Sequence, residues 1–153
     1  MGYYVELIEY NAKLLQSDLD EAYKILCDLN QKNDLKTGGR YPRETSGGPH
    51  DGIWFSWMDW NYPETCENVV AIFQQLGFDV YAADDGSVIL CGYYNKTGAQ
   101  DVFLDSLSHL WKTQIDGENP YFIWRGEDGS MWRQEYVNGE LHVLLPKIEW
   151  VLP

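Results

Sequence analysis

The sequence predicts a single α+β domain, a mostly antiparallel sheet with three helices packed on it. Three observations carry that expectation. Short alternating segments are joined by Asp84-Asp85-Gly86, Glu127-Asp128-Gly129 and Asn138-Gly139, the turn chemistry of β-hairpins. Other stretches repeat apolar residues at helical spacing. No linker or low-complexity tract divides residues 1–153, a length that suits one domain.

In chain order, residues 3–10 read as a strand, with Val5 and Leu7 alternating against Tyr4, Glu6 and Ile8. Ser17 reads as the N-cap of a helix over residues 17–30. Asp18, Asp20 and Glu21 fall in its first turn, where the helix dipole favours acids. Leu19, Ala22, Tyr23, Leu26 and Leu29 form its inward face. Residues 34–52 carry Gly38, Gly39, Pro42, Gly47, Gly48, Pro49 and Gly52, which predicts a long polar loop without regular structure. Residues 53–60 read as a strand or a packed aromatic segment. Strand alternation sends Trp54, Ser56, Met58 and Trp60 to one side and Phe55, Trp57 and Asp59 to the other.

A second helix over residues 63–76 starts at Pro63, turns Cys66, Val69, Val70, Phe73 and Leu76 inward and stops at Gly77. Strands at 78–83 and 87–94 form a hairpin. A third helix runs over residues 99–111 with Phe103, Leu107, Leu110 and Trp111 inward. Strands at 121–126, 131–137 and 141–147 complete the sheet.

Hydrophobic residues make up 44% of the chain, enough to bury a core, and the net charge is −13. A surface so negative repels phosphates, so direct nucleic-acid binding is disfavoured. The charge is unevenly placed. Residues 1–43 hold six Lys/Arg and seven Asp/Glu, whereas residues 44–95 hold no Lys or Arg. That block carries Glu44, Asp51, Asp59, Glu64, Glu67, Asp79, Asp84 and Asp85. It reads either as a solubilising surface or as an acidic face for a basic partner. In the second case Glu64, Glu67, Asp84, Asp85 and Asp59 are the candidate contacts, with Trp57 and Trp60 as aromatic anchors.

No apolar run has the length of a membrane span, and the first residues lack the basic-then-apolar order of a secretory signal. Glu6 stands where a myristoylated Gly2 would need Ser or Thr. Cys27, Cys66 and Cys91 have no close spacing and read as buried, reduced thiols. A cytoplasmic protein is expected.

No phosphate loop, dinucleotide fingerprint or nucleophile elbow is present. His50, His109 and His142 are scattered, so neither a metal site nor a cofactor is expected. His50 beside Asp51 is the one local candidate for a general base, although neighbouring side chains on a Gly-rich segment often point apart. Lys36, Arg40 and Arg43, with Tyr41 and the amides of Gly38 and Gly39, form a candidate cradle for an anion or nucleotide. A solvated loop accounts for the same residues.

Further motifs span most of the chain. They include Ala22-Tyr23-Lys24, Asp34-Leu35-Lys36-Thr37-Gly38-Gly39, Trp54-Phe55-Ser56-Trp57-Met58 and Asn61-Tyr62-Pro63-Glu64-Thr65. Leu76-Gly77-Phe78-Asp79-Val80, Asn95-Lys96-Thr97-Gly98 and Trp124-Arg125-Gly126-Glu127-Asp128-Gly129 continue the series. In these the chain resembles a group of small uncharacterised proteins encoded by bacteriophages and mobile elements, chiefly of actinobacteria. The resemblance supplies no catalytic residue. It implies a phage accessory protein acting on host machinery or host defence. The combined expectation is a non-enzymatic inhibitor whose acidic block imitates a phosphate surface toward a basic, nucleic-acid-binding host protein. The alternatives are a nucleotide-sequestering binder using Lys36, Arg40 and Arg43, and a small enzyme using His50 and Asp51.

Overall fold

The computed structural model of the protein describes residues 2–36 and 53–153. It is an α+β fold with an eight-stranded antiparallel sheet. The strands are β1 (Val5–Tyr10), β2 (Ala12–Leu14), β3 (Phe78–Ala82), β4 (Val88–Asn95), β5 (Trp111–Thr113), β6 (Tyr121–Gly126), β7 (Met131–Val137) and β8 (Glu140–Leu144). The described helices are α1 (Leu19–Leu29), α2 (Tyr62–Thr65), α3 (Val69–Leu76) and α4 (Gln100–Ser106).

The expected first strand, residues 3–10, starts later, at Val5, and is followed after Asn11 by a second short strand with a different outer partner. β1 and β2 follow one another along β4, with Val5 opposite Asn95 and Leu14 opposite Val88. On the other side β1 pairs with β6 and β2 pairs with β5. Asn11 fills the break. Its backbone N–H donates to the Tyr121 carbonyl (3.3 Å), and its own carbonyl accepts from the Gln114 amide (2.8 Å). Its side-chain Oδ1 accepts from the Tyr121 amide (2.7 Å), while Nδ2 donates to the Asn119 carbonyl (2.9 Å) and Glu118 Oε2 (3.1 Å). A buried polar residue is tolerated here because every group on it is bonded.

The helices cover one face. Ala22, Leu26 and Leu29 of α1, Val69, Ile72, Phe73 and Leu76 of α3, and Phe103 and Leu104 of α4 share one core with Val5, Leu7, Leu90, Phe122 and Trp124 of the sheet. A polar chain is threaded through that core. Trp124 Nε1 donates to Gln134 (3.0 Å), Gln134 Nε2 donates to Asp105 (2.7 Å), and the Tyr136 hydroxyl donates to the same Asp105 oxygen (2.9 Å). It ties α4 to β6 and β7, and burial together with Asp105 pushes the Tyr136 hydroxyl far up.

Several boundaries differ from expectation, each for a local reason. Ser17 caps nothing. It sits inside a single 3₁₀ turn, Gln16–Asp18, that leads into α1. The second helix is broken into α2 and α3 because Cys66 is extended and Asn68 starts a new helix, its side chain accepting from the Ala71 amide (2.8 Å). Pro63 and Gly77 act as expected, the latter left-handed at φ 112°. α4 stops at Ser106, and Trp111 opens β5 instead of closing a helix. Its indole donates to the Leu104 carbonyl (2.9 Å).

Residues 53–60 are not a strand. Phe55 and Met58 point inward three residues apart, and Trp57 adopts φ 68°, which breaks any alternation. The expected loop opens with a 3₁₀ turn at Asn33–Leu35. The remainder of it, residues 37–52, lies outside the described residues. Cys66 is buried, but Cys27 and Cys91 are only half-buried, and none of the three is bridged.

Candidate binding groove

The β3–β4 hairpin carries Asp84 and Asp85 at one end of the sheet. The turn closes through Gly86 at φ 84°, which packs so close to Gln16 that an added Cβ would lie 2.6 Å from its side chain. Asp85 accepts from the Ser87 amide (2.9 Å), and this bond, ahead of the nearby Lys13 charge, holds its carboxyl below the usual carboxylate range. The carboxylate is thereby fixed in place and kept charged.

Beside this turn lies an open groove of about 510 Å³ between α1, the α2–α3 elbow and the hairpin. Leu19, Tyr23, Val70 and Ala82 give it an apolar floor, Asp20 and Glu67 supply acids at its edge, and Gly86 of the hairpin turn that carries Asp84 and Asp85 closes one end. Tyr23 also builds the elbow. Its hydroxyl donates to the carbonyls of Cys66 (2.6 Å) and Pro63 (3.2 Å), so α2, which carries Glu64, is tied to α1. Burial raises that hydroxyl, with Cys27, Cys66 and Glu64 adding to it. Among the described residues, Asp20, Glu64, Glu67, Asp84 and Asp85 are exposed or at the surface, and none has a cation within salt-bridge distance.

The other sequence candidates fall elsewhere. Asp59 is exposed but structurally engaged. It accepts from Thr65 Oγ1 (3.0 Å) and Gln75 Nε2 (3.1 Å), which places it at the far end of α3. Trp60 is half-buried, and its carbonyl accepts from Asn30 Nδ2 (2.9 Å). Trp57 is 63% exposed and lines a separate cleft of about 760 Å³ with Lys96, Asp101 and Trp132. The two clefts sit at opposite ends of β4, whose eight residues from Val88 to Asn95 span roughly 23 Å at the usual rise per residue. The acids and Trp57 therefore do not form one face.

Lys36 has its ammonium on Asn33 Oδ1 (2.8 Å) and 5.8 Å over the Phe55 ring. Arg40, Arg43, His50 and Asp51 lie outside the described residues. His109 is exposed, 3.7 Å from Glu21, and His142 is exposed on β8. Among the described residues no three His, Cys, Asp or Glu side chains converge as metal ligands, and no helix is long and apolar enough to cross a membrane.

Sequence reasoning misses the groove itself. Leu19 and Tyr23 carry the helical period of a core face and read as part of one. Nothing local marks them as the floor of an open groove, because its walls come from three remote segments.

The chain matches no family model, no curated protein and no solved structure.

Proposed function

We propose that the protein is a non-enzymatic binding protein that seats a basic, amphipathic segment of a partner protein in the groove and inhibits that partner by occupying it. The observation that carries this reading is the pairing of an apolar floor with a rim of one charge sign. An amphipathic helix lays apolar anchors into such a floor. Its Lys and Arg side chains relieve the repulsion among the rim carboxylates. A solubilising surface needs the charge but not the floor. A nucleic-acid-binding protein of a phage host supplies a segment of this kind, with the acidic rim standing in for phosphate. The reading places the protein in the host cytoplasm.

Affinity capture from host lysate treated with nuclease tests it. Three baits are compared: the wild type, the variant E64K/E67K/D84K/D85K, and the floor variant V70D. A specific partner is retained by the wild type and lost by both variants, which remain folded by circular dichroism. An identical captured set on all three baits would overturn the reading.

A further inference from the structure

Strand β8 is an edge, and every residue from Glu140 to Leu144 is exposed. Beyond it, residues 145–153 form neither helix nor ladder and are exposed throughout. The side chains on this segment are apolar to an extent solvent does not favour. Ile148 is 80% exposed, Trp150 96% and Leu152 93%. Contiguous exposed apolar side chains of this size mark an interaction surface. The segment 140–153 holds Glu140, Lys147 and Glu149 as its only formal charges, so it is nearly neutral in a chain of net charge −13. A second copy, repelled elsewhere by its own acidity, can approach here.

We propose that residues 145–153 pair antiparallel with the same segment of a second copy, centred on Ile148, so that two sheets are joined through β8. The register follows from charge. Lys147 and Glu149 lie on one side of the segment, with Nζ 3.1 Å from Oε1. Centring the two-fold on Ile148 sets each Lys147 opposite the partner's Glu149. Shifting the centre by one residue sets Lys147 or Glu149 against itself, which is destabilising. In the centred register Leu144, Pro146, Ile148, Trp150 and Leu152 share one wholly apolar face, since strand side chains alternate. Leu145 meets the partner's Val151 on the other face. Ten large apolar side chains, five from each copy, bury roughly 1,000 Å², the size of a specific interface. A hollow of about 200 Å³ at the base of the segment, lined by Ile123, Met131, Arg133, Leu144, Leu145 and Pro146, adjoins it on the sheet.

The test is sedimentation equilibrium on the full chain. The wild type forms a dimer, and W150D is monomeric while keeping its circular dichroism spectrum. K147E and E149K each weaken dimerisation roughly tenfold by turning two attractive cross-strand pairs repulsive. Mixing the two weakened variants restores a heterodimer. The acid introduced by K147E in one copy then faces the base introduced by E149K in the other, and the native Glu149 of the first copy faces the native Lys147 of the second. A wild type that stays monomeric at about 100 µM would overturn the proposal. So would a dimer indifferent to W150D, or single-charge variants that mixing fails to rescue. A wild-type monomer that instead takes another protein onto this segment would assign the surface to a different occupant and equally overturn it.

Discussion

The two ends of β4 are built from similar materials and are suited to different things. At the Val88 end, α1, the elbow and the hairpin enclose an apolar floor, and the charged side chains that line it, Asp20 and Glu67, are both acids. At the Asn95 end, the Trp57 cleft mixes Lys96 with Asp101 and is lined by the buried polar residues Thr97 and Gln100. Lys96 is itself engaged, 5.4 Å over the Tyr4 ring, which stacks on Tyr94 at 5.0 Å. Opposite charges side by side offset one another, whereas like charges held by a rigid frame leave a field for a partner to neutralise. An exposed tryptophan does not by itself define a binding face. What surrounds it decides the chemistry it serves.

The largest expected effect comes from the joint between the two ends. Replacing Asn11 by Ala strands the buried Tyr121 amide and the carbonyl bonded to its Nδ2. Stability in urea should fall by about 2–3 kcal/mol. A loss under about 0.5 kcal/mol would mean that the strand break does not depend on this side chain.

High pH gives the next effect. Burial raises the hydroxyls of Tyr62, Tyr93 and Tyr136. A phenol whose folded pKa lies above its unfolded one stabilises the fold below the unfolded value, about 10, and loses that contribution as pH rises. Unfolding free energy should therefore be level up to about pH 9 and then decline, as denaturant titrations read at successive pH values would show. Stability that rises across that range would contradict the burial of these groups.

Smaller effects separate the ends directly. Val70→Asp on the half-buried groove floor should cost under about 1.5 kcal/mol while removing partner binding. Trp57→Gly should leave the melting temperature unchanged or raise it slightly, since it relieves a non-glycine left-handed backbone and removes a mostly exposed ring. A large destabilisation by W57G would show that this side chain belongs to the core.

What was legible in the sequence was local. The turn at Asn138-Gly139 takes φ 51° and 81°, and Gly77 and Gly86 take the positive φ their positions required. Strands β6 and β7 begin and end where alternation placed them. The unread parts depend on distant partners. β2 and β5 are three residues each and exist because Ala12 meets Thr113 across the sheet. The helix break at Asn68 was hidden by an unbroken apolar period through Val69 and Phe73. Of the candidate site, the turn acids were readable because turns face water. Their separation from Trp57 and Asp59 was not, since it is set by which end of α3 and β4 each residue reaches.

If position, and not net charge, makes the groove an acidic docking site, the same change of charge must act differently at the two ends of β4. Two double variants carry the same change of charge at opposite ends, E67K/D85K at the groove and D101K/E127K near Asn95. Calorimetric titration of each with a Lys/Arg-rich amphipathic helical peptide, at low and at physiological salt, tests the claim directly. The account predicts that the groove variant loses at least about tenfold in affinity and most of its salt dependence, while the distal variant stays within about twofold of wild type. Equal losses in both variants would contradict it.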